Sequence, residues 1–135
     1  MGCDIHIVME CKWDGDSSWT GAWSSDCMAG GRPLAASRDY GLFSRFGVRG
    51  PSDKPTIYPR NIPRDVSDLA WKLYMDAPTD HHSASHCSLE EFCSAYLGEN
   101  PESKTVRKEF AAYDLFGVFS GDDRRQYRLV FWFDN

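Results

Sequence analysis

Between Cys3 and Cys11 the chain alternates strictly, with Cys3, Ile5, Ile7, Met9 and Cys11 on one side and Asp4, His6, Val8 and Glu10 on the other. Period-two alternation of this kind predicts a β-strand. Asp14-Gly15 is turn chemistry, and Trp19 to Trp23 can return antiparallel as a weaker strand interrupted by Gly21. Near the other end, Tyr127, Leu129, Phe131 and Phe133 alternate with Arg128, Val130, Trp132 and Asp134. Both of those sets are heavily apolar, which predicts an interior strand over 127–134. Leu115 to Phe119 predicts a further strand, joined to the last through a hairpin loop at Ser120-Gly121-Asp122-Asp123.

Helical spacing takes over between these ends. Val66, Leu69, Ala70, Leu73 and Tyr74 form an apolar stripe behind Asp65 or Ser67 as N-cap, predicting a helix to about Met75. Ser88-Leu89-Glu90-Glu91 is a capping box opening a second helix that carries Leu89, Phe92 and Tyr96, with Gly98 as its stop. Asn100-Pro101 then opens a third through Val106, Phe110 and Tyr113. Tyr40, Phe43 and Phe46 suit a short helical turn, residues 24–37 read as a loop, and residues 51–64 hold four of the seven prolines and read as an irregular crossing. The expected architecture is one α+β domain over residues 1–135, an antiparallel sheet of about four strands with about three helices packed on one side. The first and last strands are both too apolar for exposed edges, so they are expected to lie in the same sheet.

Composition narrows the class. A chain of 135 residues is long enough for one ordinary core. Its formal charge of −5 argues against extended nucleic acid as a partner, because counterion release needs a basic face. No apolar run approaches the ~18 residues of a membrane span. The five cysteines are odd in number, form no C-x-x-C element and follow no apolar leader, so a cytoplasmic location is expected.

Candidate chemistry concentrates in Asp80 to Leu89, which holds three of the four histidines and several hydroxyls. Set before the capping box, it reads as a loop delivered onto the positive end of a helix, where anions are welcome. A polar surface loop with a good cap accounts for the same residues. His82-x-x-x-His86 has a ligand-like spacing, so a divalent metal is a candidate cofactor, with His6, His82 and His86 as ligands and Asp76, Asp80 or Cys87 completing the set. Phosphate recognition is the other candidate, using Ser83, Ser85 and arginines among Arg38, Arg45 and Arg49, with a tryptophan or tyrosine stacking on a base. Asp4 and His6 share a strand face, as do Trp132 and Asp134; if the two strands are neighbours, the four side chains meet. There is no P-loop, dinucleotide fingerprint or G-x-S-x-G elbow.

The opening Met1-Gly2-Cys3-Asp4-Ile5-His6 and the ending Phe131-Trp132-Phe133-Asp134-Asn135 resemble those of a family of small phage and prophage proteins. Three internal blocks agree: Arg38-Asp39-Tyr40 to Val48-Arg49, Arg60-Asn61-Ile62-Pro63-Arg64-Asp65-Val66-Ser67, and Asp80-x-His82-Ser83-x-Ser85. His81 and His86 depart from that pattern, which moves attention to His6, His82, Ser83 and Ser85. The resemblance implies a phage-encoded protein acting in the host cytoplasm and carries context more than a reaction.

The leading expectation is a binding module in which Asp4, His6, Arg38, Arg49, His82, Ser83, Ser85 and Asp134 hold a phosphate-bearing small molecule, such as a nucleotide immune signal, and so act in counter-defence. A phosphodiester hydrolase using His6 and His82 as acid and base, or as metal ligands, is the alternative. A third reading is an inhibitor docking on a host defence protein through exposed Trp19 and Trp23. His81 is expected in the exposed part of the loop.

Overall fold

The computed structural model describes residues 4–24, 40–48, 57–76, 80–89, 91–92, 95 and 125–134. Its elements are β1 (Asp4–Trp13), β2 (Thr20–Ser24), α1 (Tyr40–Arg45), α2 (Asp68–Asp76), β3 (His82–Ser88) and β4 (Arg125–Asp134). The strands form one antiparallel sheet in the order β2-β1-β4-β3. The first and last strands pair without interruption, from Asp4 opposite Asp134 to Trp13 opposite Arg125. Both lie inside the sheet, as their apolar character requires.

β1 and β2 form the expected hairpin, turning at Asp14-Gly15 with Gly15 at φ 89°. Asp16 closes the turn: its N–H donates to Trp13 O at 3.0 Å, and its carboxylate accepts from Trp13 N–H. Gly21 has a packing role as well, because a Cβ there would stand 2.6 Å from Leu69 Cβ. The missing side chain is what lets α2 lie against β2.

The alternation along β1 and β4 sorts the core into two clusters. Ile5, Ile7, Met9, Leu129, Phe131 and Phe133 pack with Phe43 of α1, Phe46, Val48 and the segment Leu89, Phe92 and Ala95. Val8, Val130 and Trp132 point the other way and pack with Ala70 of α2, joined by Ile62, Val66, Leu69, Leu73 and Tyr74. Helical residues therefore cover both faces, which corrects the one-sided packing expected above. The reason is visible in β4, whose Val130 and Trp132 are as completely buried as Leu129, Phe131 and Phe133.

The helix from the Leu69 stripe runs Asp68–Asp76. Ser67 is its cap: the hydroxyl accepts from Ala70 N–H at 3.2 Å. Ser67 N–H in turn donates to the fully buried Glu10 carboxylate, which also accepts from Arg128 Nε. Arg128 reaches on to Asp65 at 2.8 Å and lies 4.2 Å over the Trp19 ring, whose indole N–H donates to Asp65. This network ties the start of α2 to the middle of the sheet, and it holds the Asp65 carboxyl below the usual range through the Arg128 hydrogen bond.

Residues 82–88 form β3, an edge strand, where the sequence reads as a loop. Serines and histidines conceal the alternation, since only Ser85 and Cys87 within β3 are buried. The outer edge of β3 is met by the segment after Ile57. Asn61 N–H donates to Ala84 O at 2.9 Å, Arg60 N–H donates to Ser85 Oγ at 3.0 Å, and His86 Nδ1 donates to Asn61 O at 3.0 Å. Those contacts blunt an otherwise open edge. The expected strand over 115–119, its hairpin loop and the helix opening at Asn100-Pro101 lie outside the described residues.

Candidate functional site

The capping box after β3 is present as expected. Ser88 N–H donates to Glu91 Oε1 at 3.0 Å and Glu91 N–H donates to Ser88 Oγ at 3.1 Å. The same carboxylate takes a two-pronged contact from Arg60, at 3.0 and 2.7 Å. The Arg60 guanidinium, with help from Ser88, pushes the Glu91 carboxyl down to about 2, while the partnership raises Arg60 above its ordinary value. An arginine aimed at the helix start is thus spent on a structural carboxylate.

The histidines do not gather at that helix start. His82 stands opposite Phe133 and stacks on it with ring centroids 6.1 Å apart. His86 stands opposite Val130, on the other face of the sheet. Helix-like spacing of four places two ligands together only on a helix or a suitable loop, and here the segment is a strand with a bulge. Between His82 and Ser85 the register shifts, so Ser83 and Ala84 both fall opposite Trp132, with Ser83 at φ 55° and its hydroxyl 2.9 Å from His82 Nδ1. Among the described residues no group of three His, Cys, Asp or Glu side chains is placed to hold a metal ion. The set His6, His82 and His86, with Asp76, Asp80 or Cys87, is accordingly not brought together.

What does come together is the pair of terminal strands. His6 Nε2 lies 2.5 Å from Asp134 Oδ2, with both side chains largely covered. Asp4 is directly opposite Asp134. His6 is directly opposite Trp132, and their rings stack at 5.9 Å and 14°. α2 and the residue before β3 complete the group: Tyr74 meets Trp132 edge to face at 5.4 Å, and His81 packs on Tyr74 at 4.3 Å. Asp4, His6, Trp132, Asp134, Tyr74 and His81 thus make one aromatic and acidic cluster on the α2 side.

That arrangement divides the candidate residues. Asp4, His6 and Asp134 are united, while His82 stacks on Phe133, which belongs to the α1-side core. His6 and His82 therefore lie on opposite faces and form no acid and base pair. Ser85 is fully buried, and its hydroxyl holds Arg60 N–H and faces Tyr58 O. Its role is to fasten the 57–62 segment. Arg38 and Arg49 lie outside the described residues. His81, expected to be exposed, is half-buried.

Trp19 is not a free docking surface, since it is occupied by Arg128 and Asp65, and the side chain of Trp23 lies outside the described residues. Tyr74, predicted as part of the core stripe, packs in that core and also meets both Trp132 and His81.

Neither Trp132 Nε1 nor His81 Nδ1, both buried atoms, has a hydrogen-bond partner among the described residues. A buried polar group left so costs roughly 1–3 kcal/mol. No helix is long and apolar enough to cross a membrane among the described residues. Compared with protein-family models, curated proteins and solved structures, the chain matches none of them.

Proposed function

We propose that the protein is a binding module that holds, and by holding sequesters, a phosphate-bearing small molecule of the nucleotide class. The observation that carries this reading is the column in which Asp134 fixes the His6 imidazole and His6 stacks on Trp132. An oriented imidazole beside aromatic faces suits a heterocycle with hydrogen-bonding edges. Asp4 and Asp134 give the column polar acceptors for ribose hydroxyls, and Arg38 and Arg49 are the cations assigned to phosphate. Placement in a phage-infected host cytoplasm, with an immune nucleotide as the target, rests on the resemblance of the terminal motifs. Binding ranks above hydrolysis because His6 and His82, the intended acid and base, face away from each other across the sheet.

The test is calorimetric titration against cyclic nucleotides and adenosine diphosphate ribose derivatives. A Kd of tens of micromolar or tighter is expected for at least one, with stabilisation of about 2.7 kcal/mol at ~100 Kd of free ligand. Absence of heat from the whole panel contradicts the reading. The His6–Asp134 contact also favours a second reading, hydrolysis with His6 as the general base oriented by a carboxylate. Recovery of a bound nucleotide unchanged after long incubation with Mg²⁺ or Mn²⁺ excludes it for that nucleotide, whereas turnover abolished by His6→Ala would put it first.

A further inference from the structure

Trp132 has no exposed surface, yet its indole N–H, which can only donate, has no acceptor among the described residues. His81 Nδ1 is in the same position. Both rings pack on the same partner, Tyr74, Trp132 at 5.4 Å and His81 at 4.3 Å. Tyr74 therefore stands where the two orphaned nitrogens meet a common neighbour. An aromatic face is at best a weak acceptor for N–H, so the ring covers the indole without replacing a lone pair. Opposite the same Trp132, β3 carries its bulge with Ser83 in the left-handed region, a local departure from regular pairing that is common beside binding sites.

From these facts we infer that Trp132 Nε1 and His81 Nδ1 form a hydrogen-bonding subsite, covered by Tyr74, that reads the edge of a planar heterocycle. The inference rests on the nucleotide-binding reading and assigns the base of the ligand to this place. Trp132 offers a donor, and His81 Nδ1 offers a donor or an acceptor according to its tautomer. A nucleobase edge presents acceptors beside donors and has two flat faces for the surrounding rings. A phosphate is the poorer occupant, because the Asp134 carboxylate already lies against the His6 ring that stacks on Trp132. Half-buried Tyr74, in the last turn of α2, packs on both rings and is the group that has to give way as the base enters.

The experiment follows the Trp132 indole N–H resonance in ¹⁵N-labelled protein, with adenosine, guanosine, cytidine, uridine, their 5′-monophosphates and inorganic phosphate as probes. At least one nucleoside should move that resonance downfield. Trp132→Phe, which keeps a ring and removes the N–H, should weaken the same nucleoside at least tenfold while the far-ultraviolet circular dichroism is retained. Inorganic phosphate should leave the resonance in place. If a monophosphate binds by calorimetry without moving the indole resonance, the subsite is overturned and the binding module stands. If a nucleoside moves it but the monophosphate binds no better, the subsite stands and the phosphate reading fails. If no probe binds, the subsite fails, and the binding module is decided by the cyclic-nucleotide titration. Should Trp132→Phe not fold, the indole shift in the unsubstituted protein and a tenfold loss in His81→Phe carry the test; no loss there overturns the subsite.

Discussion

His6 Nε2 and Asp134 Oδ2 lie 2.5 Å apart although the residues are 128 positions distant in sequence. The contact forms because β1 and β4 are direct neighbours, with His6 opposite Trp132 and Asp4 opposite Asp134. Removing the imidazole leaves a partly covered carboxylate and an uncovered indole face. His6→Ala should therefore cost about 1–3 kcal/mol in urea unfolding, as for hydrogen bonds to charged groups. His81→Ala should cost less, because the His81 Nδ1 has no hydrogen bond to lose.

Glu10 is fully buried and satisfied by Arg128 Nε and Ser67 N–H. Truncating Arg128 strands that charge. Arg128→Ala should destabilise by about 3–5 kcal/mol, and the double variant with Glu10→Gln should recover part of the loss. Equal losses in the single and double variants, measured by denaturant titration, would show that Glu10 carries no uncompensated charge.

Gly21 leaves room for Leu69, whose Cβ would be 2.6 Å from an added methyl. Gly21→Ala should cost about 1–3 kcal/mol as α2 is pushed from the sheet. Leu69→Ala in the same chain should make the added methyl less costly than it is alone. A double-mutant cycle with no coupling would remove the proposed contact between α2 and β2.

Glu91 is held down to about 2 by Arg60, against an ordinary value of 4.5. A depressed carboxylate stabilises the folded state above its unfolded value and loses that contribution as pH falls through the folded one. The gap in stability between the parent chain and Glu91→Gln should thus be present at pH 7 and shrink between about pH 4.5 and about pH 2. Both side chains are about two-fifths exposed, so solvent screening keeps the pair's worth below ~1 kcal/mol. A gap independent of pH would show that Arg60 and Ser88 do not hold the Glu91 carboxylate in its charged form.

The parts of this fold legible in the sequence are those in which a local pattern has one solution. Alternation in 3–11 and 127–134 leads to two interior strands, Asp14-Gly15 to a hairpin, the Leu69 stripe to α2, and Ser88 with Glu91 to a reciprocal cap. β3 was hidden because an edge strand written in serine and histidine lacks an apolar alternation, and its pairing comes from β4 and the segment near Asn61. Half of the candidate site followed from strand pairing, since Asp4, His6, Trp132 and Asp134 share one face. The remainder did not: a bulge decides where His82 and Ser83 point, and tertiary packing brings Tyr74 and His81 to Trp132.

The joined chain ends are proposed to build a ligand site around His6. Its most direct measurement is the calorimetric affinity of the best-binding nucleotide for the parent protein and for His6→Ala, both shown to be folded. A loss of at least tenfold in the variant, about 1.4 kcal/mol, is the expected result. Equal affinity in the two proteins would contradict it, because a ligand held by the His6–Asp134 column must register the removal of the imidazole.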